Sequence, residues 1–199
     1  MGKEVSPLLT LVFNGSPRPR GDTLALIDAL CDHLSGDTRV IDCYHAHISP
    51  CIDCRACKTR FACALDDDMQ EVYALIHGAD NIVIASPVYY SQLTGPLLSV
   101  LSRLQPGFYA RRRAEQGFAD KVRRGGILLA GGGSGAPDPA IATARLLLRA
   151  MGCREIAEPV MALRTDENPA AQDAAALTAA WQLARRWNEK APSLNQKCP

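Results

Sequence analysis

The sequence predicts an α/β fold in which a five-stranded parallel sheet, of strand order 2-1-3-4-5, lies between two layers of helices. Short apolar runs bounded by turn residues alternate with segments of helical periodicity, as expected of a parallel sheet with crossover helices. The runs are apolar at consecutive positions, which is typical of strands buried on both faces. Five strands and five helices in strict alternation fit a doubly wound, three-layer arrangement.

The apolar runs predict strands at residues 8–13, 39–43, 81–86, 126–130 and 154–161. The periodic segments predict helices at residues 23–34, 69–77, 93–104, 139–151 and 170–188. Two stretches fall outside the alternation, a cysteine-bearing loop at 45–68 and an irregular connection at 105–124. Long connections of this kind inside a compact domain are usually functional or mobile.

The size and charge of the chain restrict its organisation and its partners. A chain of 199 residues that is 47% hydrophobic can bury one substantial core. We therefore expect a single domain over residues 1–190 and a tail at 191–199. Lys and Arg number 22 against 21 Asp and Glu, and this balance gives no field that would attract nucleic acid or an anionic membrane. Partners are expected to bind at local sites.

The amino-terminal residues and the cysteine content predict a cytoplasmic protein. The first apolar run is short and ends in a Gly-Ser-Pro turn, without the basic segment or cleavage site of a signal peptide. No stretch reaches the ~18 to 20 apolar residues of a membrane span. Because cytosolic thiols are kept reduced, the eight cysteines are expected to bind metal or take part in redox chemistry.

The turn after the first predicted strand has the composition of a phosphate site. It runs Asn-Gly-Ser-Pro-Arg-Pro-Arg-Gly-Asp-Thr over residues 14–23, where a helix begins. Free N–H groups and the positive end of the dipole at a helix N-terminus attract phosphate. Ser16 and Thr23 add hydroxyl donors, and Arg18 adds a planar cationic fork. Taken alone, the turn also fits an ordinary connection in which Asp22 caps the helix.

Two further loops follow predicted strands at the same edge of the sheet. The third strand ends in Ser-Pro-Val-Tyr-Tyr-Ser, and the rings of Tyr89 and Tyr90 could flank an aromatic cofactor or simply cover the core. The fourth ends in a Gly-Gly-Gly-Ser-Gly turn at 131–135, where backbone can approach a ligand closely. Strands 1, 3 and 4 are neighbours around the switch point. One phosphate loop and two loops for a planar body are what FMN requires.

The motifs that carry a family resemblance are Gly15-Ser16-Pro17-Arg18 with Thr23, Asp67-Asp68-Met69, Ala79-Asp80, Ser86-Pro87-Val88-Tyr89, Gly95 and Arg103. In order and spacing they resemble the flavodoxin-like NADPH-dependent FMN reductases, and especially the branch called iron-sulfur flavoproteins. The resemblance runs from about residue 8 to residue 135 and fades toward the C-terminus.

The resemblance implies a set of contacts to FMN. The residues implied to hold the phosphate are Ser16, Arg18 and Thr23. Those implied to border the isoalloxazine are Pro87, Val88, Tyr89 and Tyr90. The loop implied to close over the cofactor contains Gly131, Gly132, Gly133 and Gly135.

Two residues depart from the family pattern. Asp22 stands where the family usually has Asn or Ser, and a carboxylate beside a phosphate dianion weakens FMN binding unless it points away as a helix cap. Ser102 stands where an acidic residue typically precedes Arg103, which puts a salt bridge at the helix end in doubt but not the cofactor.

The cysteine loop carries a compact metal-binding pattern. Cys51, Cys54, Cys57 and Cys63 form C-x2-C-x2-C-x5-C, four thiols within thirteen residues. Overlapping C-x2-C pairs are typical of the ferredoxin run that binds a [4Fe–4S] cluster, whereas zinc sites more often separate two pairs by a longer span. The pattern favours a [4Fe–4S] cluster, which the resemblance also implies, and an empty thiol loop is the main alternative.

The predicted function is an FMN-dependent oxidoreductase in which no side chain acts as acid, base or nucleophile. The resemblance implies NAD(P)H or reduced ferredoxin as electron donor and a small acceptor such as a quinone, dioxygen or free flavin. It also implies a homodimer or homotetramer. Two alternatives stay open: a non-enzymatic electron carrier like flavodoxin, and a zinc or thiol sensor whose flavin site is vestigial.

Overall fold

The computed structural model describes residues 7–133 and 135–189. Its strands are β1 Leu9–Asn14, β2 Asp37–Asp42, β3 Asn81–Pro87, β4 Arg123–Gly131, β5 Cys153–Ile156 and β6 Val160–Leu163. Its α-helices are α1 Asp22–Cys31, α2 Met69–Gly78, α3 Gly95–Leu101, α4 Gln105–Arg112, α5 Asp138–Ala150 and α6 Ala174–Glu189. The strands pair in parallel in the order β2-β1-β3-β4-β5, with β6 also on β4. The predicted fold class and strand order are confirmed.

Helices cover both faces of the sheet. Along β1, Leu11 and Phe13 face a core built with α2, α3 and α5, whereas Val12 faces a core built with α1 and α6. All three side chains are fully buried. The same alternation runs along β3 and β4, so residues apolar at consecutive positions fill two cores. This is the physical reason for the continuous apolar runs in the sequence.

The predicted strand at 154–161 is two strands. β5 pairs with the beginning of β4, and β6 pairs with its end, from Leu128 to Gly131. Pro159 precedes β6 and has no N–H to donate to a ladder, so a single continuous strand is disfavoured there. The sheet therefore has six strands, and the chain after β6 emerges at the same edge as the chain after β4.

The predicted irregular connection at 105–124 is wrong in part, because α4 occupies its first half and β4 begins at Arg123. Pro106 and Gly107 weaken the helical signal of α4. Gly107 is required by packing, since a Cβ there would collide with the ring of Phe118. Arg123 is fully buried and donates to the carboxylate of Asp120.

The predicted tail at 191–199 lies outside the described residues, as does Ser134 in the glycine-rich turn. Within the described ranges, no helix is both long and apolar enough to cross a membrane.

Candidate functional site

A pocket lies where the carboxyl ends of β1, β3 and β4 meet. Its volume is about 250 Å³, slightly below the roughly 300–1,000 Å³ of typical ligand pockets. An adjoining groove of about 520 Å³ shares several of its residues. The residues that line this switch-point pocket are Ser16, Arg18, Asp22, Thr23, Pro87, Val88, Tyr89, Ala130, Gly131, Gly132, Thr165 and Asp166.

The turn between β1 and α1 is fixed by a backbone hydrogen bond to β3 and by the hydroxyl of Thr94 at the start of α3. The N–H of Gly15 donates to the carbonyl of Ala85 at 2.8 Å, and the Thr94 hydroxyl donates to the carbonyl of Gly15 at 2.8 Å. A Cβ at Gly15 would lie 2.8 Å from Thr94 Oγ1, so no side chain fits there. The turn thereby brings Ser16 and Arg18 to the pocket beside the free N–H groups that begin α1.

The carboxylate of Asp22 does not cap α1. The N-cap residue is Gly21, and it makes no side-chain capping hydrogen bond. Asp22 is the first helical residue, and its Oδ1 accepts a hydrogen bond of 2.8 Å from the N–H of Ala170. The interpretation of Asp22 as a helix cap is therefore wrong, and the carboxylate stays at the wall of the pocket.

The loop after β3 brings Pro87, Val88 and Tyr89 to the pocket but not Tyr90. Tyr89 and Gln92 exchange backbone hydrogen bonds of 3.0 and 2.9 Å. The two residues between them, Tyr90 and Ser91, have φ values of 49° and 61°, as in a two-residue turn of primed type. This turn leaves the side chain of Tyr90 fully in solvent, while Tyr89 is 46% exposed.

The glycine-rich turn after β4 contributes Gly131 and Gly132 to the pocket, whereas Gly133 and Gly135 do not line it. A Cβ at Gly132 would collide with the carboxylate of Asp166. The absence of a side chain at 132 therefore lets the backbone approach this edge of the pocket closely.

Thr165 and Asp166 also line the pocket, and no sequence motif indicates them. The N–H of Thr165 donates to the carbonyl of Gly131 at 3.0 Å, and the N–H of Arg164 donates to the carbonyl of Gly133 at 3.1 Å. These bonds fasten the loop after β6 to the glycine-rich turn. The sequence does contain a polar run at 164–168 after an apolar run at 160–163, but a single predicted strand over 154–161 hides the end of β6.

A second cavity, of about 200 Å³, is lined by all four cysteines of the loop. We call it the cysteine cavity, and its other lining residues are Asp53, Arg55, Arg103, Gln105, Pro106 and Tyr109. Cys51 and Cys54 are exposed, Cys57 and Cys63 are partly buried, and all four thiols are free. Burial raises the pKa of Cys57, and the other three thiols raise it further although a backbone hydrogen bond lowers it.

The cysteine loop has an unusual conformation and is held by side chains at the two ends of α4, Arg103 before it and Arg113 after it. Asp53 and Arg55, on either side of Cys54, have φ values of 49° and 64°, and such residues persist only where their surroundings enforce them. Arg113 donates to the carbonyls of Cys57 and Lys58 at 2.8 and 2.9 Å.

Arg103 does form an ion pair, with a partner that the family pattern did not indicate. Its Nη1 lies 2.6 Å from Oδ2 of Asp67, at the end of the cysteine loop. Ser102, in the position of the missing acidic residue, instead accepts a hydrogen bond of 3.0 Å from the N–H of Cys51. Arg103 therefore pairs with the cysteine loop, and Ser102 contacts the same loop as a hydrogen-bond acceptor.

The donor set of the cysteine cavity matches an iron–sulfur cluster more closely than a single metal ion. Four thiolates are the ligand set of an iron–sulfur cluster, and the cysteine cavity supplies four thiols. In the described part of the chain, no three His, Cys, Asp or Glu side chains are arranged around a point that could hold one metal ion. No residue lines both cavities.

A parallel sheet of this order, with a polar pocket at its switch point, defines the flavodoxin-like class of α/β proteins. The sequence profile of the family described as NADPH-dependent FMN reductase matches residues 8–168. The chain therefore belongs to that family, and the resemblance inferred from the motifs is confirmed.

Among known proteins, an iron-sulfur flavoprotein of Methanocaldococcus jannaschii is 30% identical over 120 residues, which cover 57% of this chain and 62% of the relative. This agrees with the predicted iron-sulfur flavoprotein branch. The chain spans about three fifths of the length of the curated relatives it matches.

Two solved structures share the fold at low identity. An NADH:FMN oxidoreductase is 22% identical with a TM-score of 0.63, and the match covers 95% of this chain and 94% of that one. An NAD(P)H:quinone oxidoreductase from Methanothermobacter marburgensis is 15% identical with a TM-score of 0.62, and the match covers 98% of this chain and 99% of that one.

Proposed function

We propose that this protein is an FMN-dependent oxidoreductase that takes electrons from NAD(P)H or reduced ferredoxin and passes them to a small acceptor. The observation that carries the proposal is the convergence of the turns after β1, β3 and β4 on one pocket. Membership of the NADPH-dependent FMN reductase family supports FMN as the ligand.

The phosphate end of the pocket is assigned to Ser16, Arg18 and Thr23. All three line the pocket, and they stand at the N-terminus of α1, whose first N–H groups favour an anion. Two carboxylates that line the pocket, Asp22 and Asp166, would repel a phosphate. The positive charge of Arg18 offsets this repulsion.

The flat part of FMN is assigned to the space between the β3 loop and the glycine-rich turn. Val88 and the half-exposed ring of Tyr89 offer apolar surface, and Gly131 and Gly132 offer backbone. Thr165 and Asp166 stand beside Gly131 and Gly132, and we assign them to the hydroxyl groups of the ribityl chain. FMN, when bound, supplies the exchange of one or two electrons, and the protein supplies its binding and orientation.

The cysteine cavity is assigned to a [4Fe–4S] cluster held by Cys51, Cys54, Cys57 and Cys63. Four free thiols around one cavity and relatives named iron-sulfur flavoproteins support this assignment. Such a cluster exchanges single electrons, which suits reduced ferredoxin as a donor. A quinone acceptor is supported by a structural neighbour named NAD(P)H:quinone oxidoreductase.

The deciding experiment is the absorption spectrum of anaerobically purified protein, with iron and sulfide analysis and a steady-state assay of NAD(P)H oxidation. The proposal expects flavin bands, a broad shoulder that bleaches on reduction, and NAD(P)H turnover. Flavin without NAD(P)H turnover would instead indicate an electron carrier. A colourless protein that contains zinc would indicate a sensor, the second alternative.

A matched variant separates the two cofactors. Cys54→Ser is expected to lose iron and sulfide while it retains flavin, because Cys54 lines only the cysteine cavity. Unchanged iron and sulfide in this variant would contradict the assignment of Cys54 as a ligand. Size-exclusion chromatography with light scattering tests the homodimer or homotetramer that we also propose.

A further inference from the structure

We propose that Arg103 is a positioning residue of the cysteine site: it closes the cysteine loop at both ends and directs an unused N–H toward the sulfur of Cys63. The inference rests on the cluster proposed above and adds a residue outside the four-cysteine pattern. No such role follows from the spacing of the cysteines.

The first observation is the burial of the Arg103 charge. Its side chain is fully shielded from solvent, and that of Asp67 is 14% exposed. The two side chains make a fork-to-fork contact, with Nη1 at 2.6 Å from Oδ2 and Nη2 at 3.1 Å from Oδ1. A buried guanidinium persists only where it is paired and hydrogen-bonded, so its position is fixed.

The second observation is that the same guanidinium joins the two ends of the loop. Nη1 donates to the carbonyl of Ser49 at 2.8 Å, and Nη2 donates more weakly to the carbonyl of Leu65 at 3.4 Å. Ser49 precedes Cys51 by two residues, and Leu65 follows Cys63 by two residues. The backbone of Arg103 is itself held, since the Tyr73 hydroxyl donates to its carbonyl at 2.7 Å. One side chain therefore sets the separation of the segments that carry the first and last cysteines.

The third observation is the unused donor. Among the described residues, Nε of Arg103 is a buried side-chain atom with no hydrogen-bond partner, and Arg103 lines the cysteine cavity. Cys63 lines the same cavity as Arg103, and Nη2 of Arg103 already holds the carbonyl of Leu65, two residues from Cys63. A buried donor without a partner is costly, and a cysteine sulfur in this cavity can accept its hydrogen bond.

The expected consequence concerns iron retention and reduction potential. Hydrogen bonds and positive charge near cysteine sulfurs stabilise the reduced, more negative state of a cluster and raise its potential. Lysine cannot replace this function, because a point charge offers neither the planar fork nor the Nε–H.

The test compares wild type, Arg103→Gln, Arg103→Lys and the control Arg112→Gln, an exposed arginine on α4 that does not line the cavity. Each protein is reconstituted anaerobically and titrated with an iron chelator, and the midpoint potential of the cluster is measured by electron paramagnetic resonance. We expect Arg103→Gln to lose iron at ~10–100-fold lower chelator concentration, with a more negative potential and an unchanged flavin content. Arg103→Lys should also show the more negative potential, and Arg112→Gln should match wild type.

Wild-type iron retention and potential in Arg103→Gln would overturn the inference while the cluster proposal stands. If Arg103→Gln loses flavin and fold as well, Arg103→Lys decides, because it keeps the buried charge, and a wild-type potential in that variant overturns the inference. Absence of iron and sulfide from the wild-type protein would overturn the cluster proposal and this inference with it.

Discussion

The switch-point pocket and the cysteine cavity are built in different ways. The pocket is framed by backbone hydrogen bonds between strand ends, such as Gly15 N–H to Ala85 and Val88 N–H to Ala130. The cysteine cavity is framed by side chains, since Arg103 and Arg113 reach loop carbonyls more than fifty positions away. The position of the pocket therefore follows from the fold, whereas the shape of the cavity depends on a few individual residues.

This difference gives the two sites different sensitivities. A substitution that shifts the strand ends should empty the pocket and spare the cysteine cavity. A substitution that removes a side-chain contact should open the cysteine loop and spare the pocket. A low pH that protonates the carboxylate of Asp67, the partner of Arg103, should do the same.

Gly15→Val should abolish flavin binding while iron is retained. The new side chain would meet Thr94 Oγ1 at 2.8 Å and Leu97 Cδ2 at 2.9 Å, which displaces the turn that carries Ser16 and Arg18. Overpacking of this kind costs ~1–3 kcal/mol of stability. Flavin and iron per chain are measured, with Gly95→Ala as control because its Cβ would enter open space. Joint loss of iron and flavin would show that the sites are not independent.

Asp67→Asn should destabilise the protein by ~2–4 kcal/mol near neutral pH, because it leaves the buried charge of Arg103 unpaired. Burial raises the pKa of Asp67, but the hydrogen bonds from Arg103 and from backbone N–H groups lower it below its ordinary value. A lowered pKa gives stability that is complete above the unfolded value of ~3.9 and is lost as the pH falls through the folded value.

The free energy of urea-induced unfolding of both proteins, measured without cofactors between neutral and acidic pH, checks this prediction. The advantage of wild type over Asp67→Asn should shrink only below about pH 4. An advantage that does not change with pH would contradict the assigned ion pair.

Arg18→Ala should weaken FMN binding by ~10–100-fold, the equivalent of one charge-assisted hydrogen bond. Arg20→Ala is the matched control, because Arg20 belongs to the same turn but does not line the pocket. Fluorescence titration of the cofactor-free proteins gives the two dissociation constants. Equal losses of FMN affinity in both variants would indicate that the positive charge of the turn acts at a distance, and that Arg18 makes no specific contact.

Asp22→Asn should have the smallest effect, a strengthening of FMN binding by about fivefold or less, as expected for removal of one charge at a few ångströms in a solvated site. The amide can still accept the hydrogen bond from Ala170 N–H. Asp32→Asn, at the other end of α1, should leave the dissociation constant unchanged. Weaker binding in Asp22→Asn would show that the carboxylate contributes to the site.

The contrast between the sites also explains what the sequence could predict. The apolar runs predict the strands, and the alternation of strands with helices predicts their order in the sheet. That order brings the turns at 16, 88 and 131 together at one edge. The family resemblance implies that Tyr90 borders the isoalloxazine, but a two-residue turn directs its side chain to solvent. Pairs such as Arg103 with Asp67 leave no local signal, because they join residues 36 positions apart through side chains.

We propose above that the switch-point pocket binds FMN with its phosphate at the N-terminus of α1. The most direct test is to compare the dissociation constants of FMN and riboflavin for cofactor-free protein at fixed ionic strength. The two flavins differ only by the phosphate, and we expect FMN to bind on the order of a hundredfold more tightly. Equal affinity for both flavins, or binding of neither, would contradict the assignment.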